Sequence, residues 1–234
     1  MKMWSRFALI FGGLSALGLS LSLLFVLAVD PYGNSPLAIG IREPLPEGNQ
    51  RYIYPQIIRY GAYDSLVIGT STSRLLEPRK LDATLGGRFA NLALNDGRAW
   101  EQVQLLNLYL RERGAPKNLL MGLDTVWCRE DADTYLRTKS AEFPQWLYDD
   151  NPYNDLLYML NKPTVSLSVK KLAFHLGQKV SIFEPTGYAD FTGGEAKYSA
   201  KRASEKIARN MRRRPPPTAA DWGDPARLHL PAVD

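Results

Sequence analysis

The sequence predicts an α/β domain with a parallel sheet, placed behind an N-terminal transmembrane helix. Residues 7–29 contain no charged side chain. Further along, short apolar runs that end in glycine or polar residues alternate with a helical segment, which is typical of strands joined by a crossover helix. About 205 residues follow the apolar segment, which is the usual size of one such domain.

The apolar segment from Phe7 to Val29 would be about 34 Å long as a helix, enough to cross a hydrocarbon core of about 30 Å. Lys2 and Arg6 precede the segment and Asp30 follows it. The excess of positive charge before the segment predicts a cytoplasmic N-terminus and places everything after Asp30 outside. The alternative is a cleaved signal peptide, for which Val26-Leu27-Ala28 offers a cleavage site.

The remaining elements follow in chain order. Residues 30–50 are rich in proline and glycine and predict an extended stalk, so the α/β domain is expected over residues 51–234. Its predicted strands are Leu66–Thr70, Phe89–Leu94 and Leu119–Leu123, and its clearest helix is Trp100–Arg113, closed by Gly114. A helical insertion is expected at about 143–177, with Pro152 and Pro163 in the first turns of its helices.

Three strands make a thin sheet for a domain of this kind. The residues from 215 to 234 are too few for another strand-helix-strand unit, which takes roughly 30 residues. We therefore expect the domain to be incomplete at its C-terminus.

Composition excludes several kinds of site. Cys128 is the only cysteine, which rules out an internal disulfide, and only two histidines are present, so we predict no metal site and no cofactor. The net charge of +5 is concentrated between Lys197 and Arg214, where eight Lys and Arg side chains accompany one Glu. This run predicts either a solvated basic helix or a contact with anionic lipid headgroups or an anionic envelope polymer. Nucleic acid is not expected as a partner outside the cytoplasm.

The candidate functional residue is Ser71, in the stretch Leu66-Val67-Ile68-Gly69-Thr70-Ser71-Thr72-Ser73-Arg74. A buried strand that ends in a tight turn presents its next residues at the carboxyl end of the sheet, where open α/β folds bind ligands. Acyl transfer needs a nucleophile, a base and donors for the oxyanion, and Ser71 could be that nucleophile. The alternative is that Ser71 or Ser73 caps the following helix.

Three stretches resemble the sequence blocks of the SGNH (GDSL-like) hydrolase superfamily, above all its membrane-anchored bacterial envelope members, such as the alginate O-acetylation proteins and the D-alanyl transfer protein of teichoic acids. Gly69-Thr70-Ser71 is similar to the first block, Gly-Asp-Ser. Asn91-Leu92-Ala93-Leu94-Asn95-Asp96-Gly97 is similar to the second block, and Gly122-Leu123-Asp124-Thr125 falls at the third block, Gly-x-Asn-Asp. The resemblance covers about residues 30–130.

The resemblance implies a flavodoxin-like (SGNH-type) fold in which Ser71 is the nucleophile and the Gly97 N–H serves the oxyanion hole. Asp124 stands where the family has an asparagine, and an ionised carboxylate cannot donate a hydrogen bond. Asn95 could supply the missing amide, or Asp124 could orient a partner. The fourth block, Asp-x-x-His, is not present as such, because Asp224 and His229 are five positions apart, and His229 is the candidate base.

Together these features predict a single-pass protein of the bacterial inner membrane, with its domain in the periplasm or outside. The expected activity is that of an O-acyl esterase or acyltransferase acting on a cell-envelope polymer, with an acyl-donating membrane protein as a partner. The departures at the third and fourth blocks leave open the alternative that the fold is a non-catalytic binding or scaffold module.

Overall fold

The computed structural model describes residues 2–41, 49–135, 142–178, 184–191 and 198–213. It is a mixed α/β structure with one long apolar N-terminal helix and a small parallel sheet. The helices are α1 (Lys2–Val29), α2 (Gln50–Tyr60), α3 (Pro78–Leu85), α4 (Ala99–Arg113), α5 (Pro152–Met159), α6 (Lys162–His175) and α7 (Ala200–Arg213). The strands are β1 (Ser65–Ile68), β2 (Phe89–Asn91) and β3 (Asn118–Met121).

The three strands form a parallel sheet in the order β2-β1-β3. Ser65 of the central strand is in register with Phe89 of β2 and with Asn118 of β3. The predicted strands and their parallel arrangement are confirmed. All three strands end earlier than expected, although the N–H groups of Leu92 and Leu94 still donate to the carbonyls of Val67 and Gly69 beyond the end of β2.

The core lies between the sheet and the pair of helices α2 and α4. Leu66 and Ile68 project from the same face of β1 and pack in one cluster with Ile57 of α2 and Leu105 of α4. Alternate residues of a strand share a face, so this strand presents two aliphatic side chains to the helices. Because β1 is buried throughout, the turn that follows it begins in the interior of the domain.

Helix α1 is long and apolar enough to cross a membrane. Its side chains are exposed as far as Leu21, whereas Val26, Leu27 and Val29 at its other end are buried in the core. The helices predicted between 143 and 177 are present as α5 and α6, and both contact α1. The end of α1 is therefore part of the packed domain.

The first residues of the predicted stalk also lie within the domain. Asp30 and Tyr32 are buried, and one carboxylate oxygen of Asp30 accepts hydrogen bonds from the N–H groups of Gly33, Asn34 and Ser35. The hydroxyl of Tyr32 bonds that of Thr164 on α6, with 2.8 Å between the oxygens. Residues 42–48 of the same segment lie outside the described residues.

Candidate functional site

Ser71 lies in the turn directly after the central strand, at the carboxyl end of the sheet. The chain passes from β1 to β2 on one side and then, through α4, to β3 on the other side. The connections therefore diverge at the carboxyl ends of β1 and β3, which is where open parallel sheets form a ligand crevice. The turns carrying Ser71 and Asp124 leave the sheet at this position.

Two glycines make room for Ser73 beside that crevice. A side chain on Gly69 or on Gly122 would overlap the Ser73 hydroxyl, and a Cβ on Gly69 would lie 2.7 Å from the Cβ of Ser73. Ser73 is buried and fills the space between the ends of β1 and β3. The glycine of the Gly-Thr-Ser stretch is thus required by close packing.

Asn91, the last residue of β2, fixes the chain that leaves the Ser71 turn. Its buried side-chain amide donates to the carbonyl oxygens of Ser73, Arg74 and Leu76 at 3.0, 3.3 and 2.8 Å. Buried amides are stable only when they are hydrogen bonded, and here the partners are backbone groups. Asn91 therefore gives the turn a defined shape.

Ser71 itself is half-buried and caps no helix. The 3-10 turn at Ser73–Leu75 has Thr72 as its N-cap, without a side-chain hydrogen bond, and α3 begins after Glu77. The capping alternative is therefore wrong for both Ser71 and Ser73. Within the described part of the chain, the Ser71 hydroxyl makes no hydrogen bond, so it is available to a ligand.

Asp124 links the turn after β3 to the turn after β1. One carboxylate oxygen accepts a hydrogen bond from the Thr70 hydroxyl, and the other accepts from the Val126 N–H at 3.0 Å, which caps the 3-10 turn Thr125–Cys128. In this arrangement Asp124 is an acceptor at both oxygens. Its observed contacts are those of a residue that holds two turns together.

The loop with the predicted oxyanion donors, residues 95–97, is fixed from several sides. The Asn95 N–H donates to the Gln50 side chain at 2.8 Å, and the Asn95 side-chain oxygen accepts from Arg74 at 2.8 Å. The Gly97 N–H donates to the carbonyl of Leu94 at 3.3 Å. An oxyanion at Gly97 would have to compete with that long hydrogen bond.

Arg74 is the neighbouring residue to which sequence reasoning gave no role. It is buried, its guanidinium lies 5.2 Å from the centre of the Phe191 ring, and it bonds Asn95. It joins the Ser71 turn to the 95–97 loop and brings a permanent positive charge to this end of the sheet. A single arginine after a hydroxyl cluster offers no sequence signal for such a position.

The predicted base, His229, lies outside the described residues. His175 lies at the end of α6, among the helices that contact α1. Across the described ranges, no group of three His, Cys, Asp or Glu side chains is placed to hold a metal ion. The site as described thus consists of Ser71, the linked Thr70 and Asp124, and the fixed 95–97 loop.

Comparison of the chain with protein-family models, with curated proteins and with solved structures gives no match.

Proposed function

We propose that this protein is a membrane-anchored, SGNH-like O-acyl esterase or acyltransferase that acts on a polymer of the bacterial cell envelope. The observation that supports it is the Ser71 hydroxyl, which lies at the carboxyl end of the central strand and takes no part in the hydrogen bonds that hold the turn. Parallel sheets of flavodoxin-like order bind their ligands at this position.

In the proposed reaction the Ser71 oxygen attacks the carbonyl carbon of an acyl ester, and the substrate alcohol leaves. The serine proton passes to a general base and then to the leaving oxygen. The acyl group is next transferred to water in an esterase or to a polymer hydroxyl in a transferase. His229 is the proposed base, and the Ser71 N–H with the Gly97 N–H or the Asn95 amide are the proposed oxyanion donors.

The test is covalent labelling of the detergent-solubilised full chain by a serine-directed fluorophosphonate, together with hydrolysis of an aryl acetate. Ser71→Ala should abolish both, whereas Thr72→Ala, which removes the adjacent exposed hydroxyl, should retain both. Equal labelling of the wild type and Ser71→Ala would overturn the proposal.

A second candidate function is a non-catalytic module that binds an envelope polymer with the same fold. It is favoured by Asp124, whose two oxygens are engaged by Thr70 and the Val126 N–H, at the place where the related enzymes have an amide donor. Asp124→Asn restores that amide and can still cap the 3-10 turn. A gain in Ser71-dependent hydrolysis in this variant would support the enzyme, and polymer binding that survives Ser71→Ala without any hydrolysis would support the module.

The proposed setting is the inner membrane, with α1 crossing the bilayer and the domain on its outer side. An acyl-donating membrane protein is the proposed partner. The basic helix α7 is a proposed contact for anionic headgroups or polymer, because six Lys and Arg residues lie within its 14 residues.

A further inference from the structure

Five exposed aliphatic side chains lie on the two segments that adjoin the end of α1 at which the domain begins. We call them the apolar collar: Leu37, Ile39, Leu156, Leu157 and Leu160. Leu157 is 81% exposed and Ile39 is 68% exposed. Exposed leucines are ordinary when scattered, but several of them on two adjoining segments mark a surface that contacts something apolar.

Two observations place the collar beside the end of α1. The Ile39 N–H donates to the carbonyl of Ala28, in the last turn of α1, at 2.9 Å. Leu156 on α5 lines the same cavity, of about 860 Å³, as Leu27 of α1. The exposed apolar surface of α1 therefore lies next to the loop at residues 37–39 and to α5.

The length of α1 places the collar near the membrane surface. From Phe7 to Leu24 the helix carries no charged side chain and is largely exposed, and these residues span about 27 Å, close to a hydrocarbon core of about 30 Å. Ala28 is four residues beyond Leu24, or about 6 Å along the helix axis. The headgroup layer extends about 5–8 Å beyond the core on each side, so Ile39 bonds α1 within that layer.

We propose that the apolar collar is embedded in the outer interfacial layer of the bilayer, so that the domain rests directly on the membrane surface. The partner is the lipid itself, because the collar adjoins α1, the helix that is long and apolar enough to cross a membrane. Apolar side chains of peripheral helices reach about 5–10 Å into the boundary between headgroups and acyl chains. The collar, at the level of Ala28, would lie at this depth. The inference rests on α1 crossing the membrane and does not depend on the chemistry at Ser71.

The test uses the full chain reconstituted in phosphatidylcholine vesicles, with Cys128→Ser to remove the exposed native thiol. A polarity-sensitive fluorophore is attached to Leu157→Cys, to Ile39→Cys or, as the matched control, to Leu85→Cys. Leu85 is an exposed leucine at the end of α3, and it is 49% exposed. Lipids with a spin label at a shallow acyl position quench fluorophores that lie in the interfacial layer.

We expect the shallow spin-labelled lipid to quench the fluorophores at 157 and 39, to shift their emission to the blue and to leave the Leu85→Cys label unchanged. The contact is apolar, so quenching should persist in high salt, unlike attachment through the basic helix α7. The proposal would be overturned if a water-soluble quencher quenched the labels at 157 and 39 as strongly as it quenches the label at 85. It would also be overturned if their protection disappeared on dilution into excess lipid, since a second copy of the chain would then be the partner.

Discussion

Ser73 lies between two glycines at the carboxyl end of the sheet, and its hydroxyl occupies space that a side chain on either glycine would need. The two glycines differ in what else they meet. A Cβ on Gly122 would lie 3.3 Å from the Ser73 Cβ, whereas a Cβ on Gly69 would lie only 2.7 Å from it. The overlap at Gly122 is therefore chiefly with the hydroxyl, and the overlap at Gly69 involves the Ser73 Cβ as well.

This difference predicts a selective rescue. Gly122→Ala and Gly69→Ala should each destabilise the protein by about 1–3 kcal/mol through overpacking. Adding Ser73→Ala removes the hydroxyl and should recover most of the stability of Gly122→Ala but little of that of Gly69→Ala. Urea unfolding of the wild type, the three single variants and the two double variants measures both coupling energies. Equal rescue of the two glycine variants would contradict this description of the turn.

Lys171 is the second residue whose environment has a measurable consequence. Its side chain is fully buried, its ammonium donates to the Asp30 carbonyl at 2.5 Å, and it lies 5.5 Å from the centre of the Tyr60 ring. Burial lowers the pKa of Lys171 from 10.5 to about 8, against the opposing attraction of Asp30. Between these two pH values the unfolded chain holds more protons than the folded chain.

Stability should therefore rise with pH above about 8, because the cost of burying the ammonium is fully present below that pH and is lost as the side chain becomes neutral. Between pH 7.5 and 9.5 this contribution amounts to about 2 kcal/mol. Lys171→Met should lose the rise. Chemical unfolding at both pH values, with the wild type as the reference, checks the prediction, and an unchanged pH slope in the variant would contradict it.

Helices α2 and α4 are joined by a buried ion pair, Arg51–Glu101, with 2.6 Å between nitrogen and oxygen. Arg51 also donates to the carbonyls of Asn95 and Asp96, so the same guanidinium holds both helices and the loop of the candidate site. Glu101 accepts in addition from the Arg98 N–H at the start of α4. The pair thus connects the packing of two helices to the geometry beside Ser71.

Removing either partner of this ion pair should lower the free energy of unfolding. Arg51→Met or Glu101→Leu leaves one charge buried without its partner, which typically costs about 3–5 kcal/mol. The double variant, which removes both charges, should be less destabilised than the sum of the single variants. Denaturant unfolding of the three variants measures this, and strictly additive losses would show that the pair is not coupled.

The elements were largely predictable because their signals are local. The apolar runs and glycine stops located β1, β2, β3 and α4 to within a few residues, and Pro152 and Pro163 marked the starts of α5 and α6. The turn after β1 was also predictable, since the short apolar run ends at Gly69 and is followed by hydroxyl residues. The hydrogen-bond partners of the residues in this turn could not be predicted.

The contacts that sequence reasoning missed join residues far apart in the chain. Lys171 bonds Asp30 across 141 positions, and Thr70 bonds Asp124 across 54. A segment rich in proline and glycine has the composition of a stalk, and nothing local to residues 30–34 indicates that α2 and α6 bury part of it. Such partners depend on the packing of whole elements, for which a single sequence carries no periodic signal.

On the scale of the whole molecule, the long apolar helix α1 and the domain share a core. Val26, Leu27 and Val29 of α1 are buried in the domain, and the Asp30 carboxylate joins the end of the helix to the residues that follow. Cleavage after Ala28, the site that a signal peptide would offer, would remove two of these core side chains. The packing therefore favours an anchor that stays attached to the domain.

Shortening the chain from its N-terminus tests that conclusion. A chain that starts at Ser22 keeps every α1 residue that the domain buries, whereas a chain that starts at Val29 lacks Val26 and Leu27. Each buried aliphatic side chain contributes about 1.5–3 kcal/mol, so the shorter chain should be less stable by about 4 kcal/mol. Urea unfolding of both chains in the same mild detergent gives the difference. Equal stability would mean that the end of α1 is dispensable for the core, and a cleaved signal peptide would then describe the first 28 residues better than an anchor.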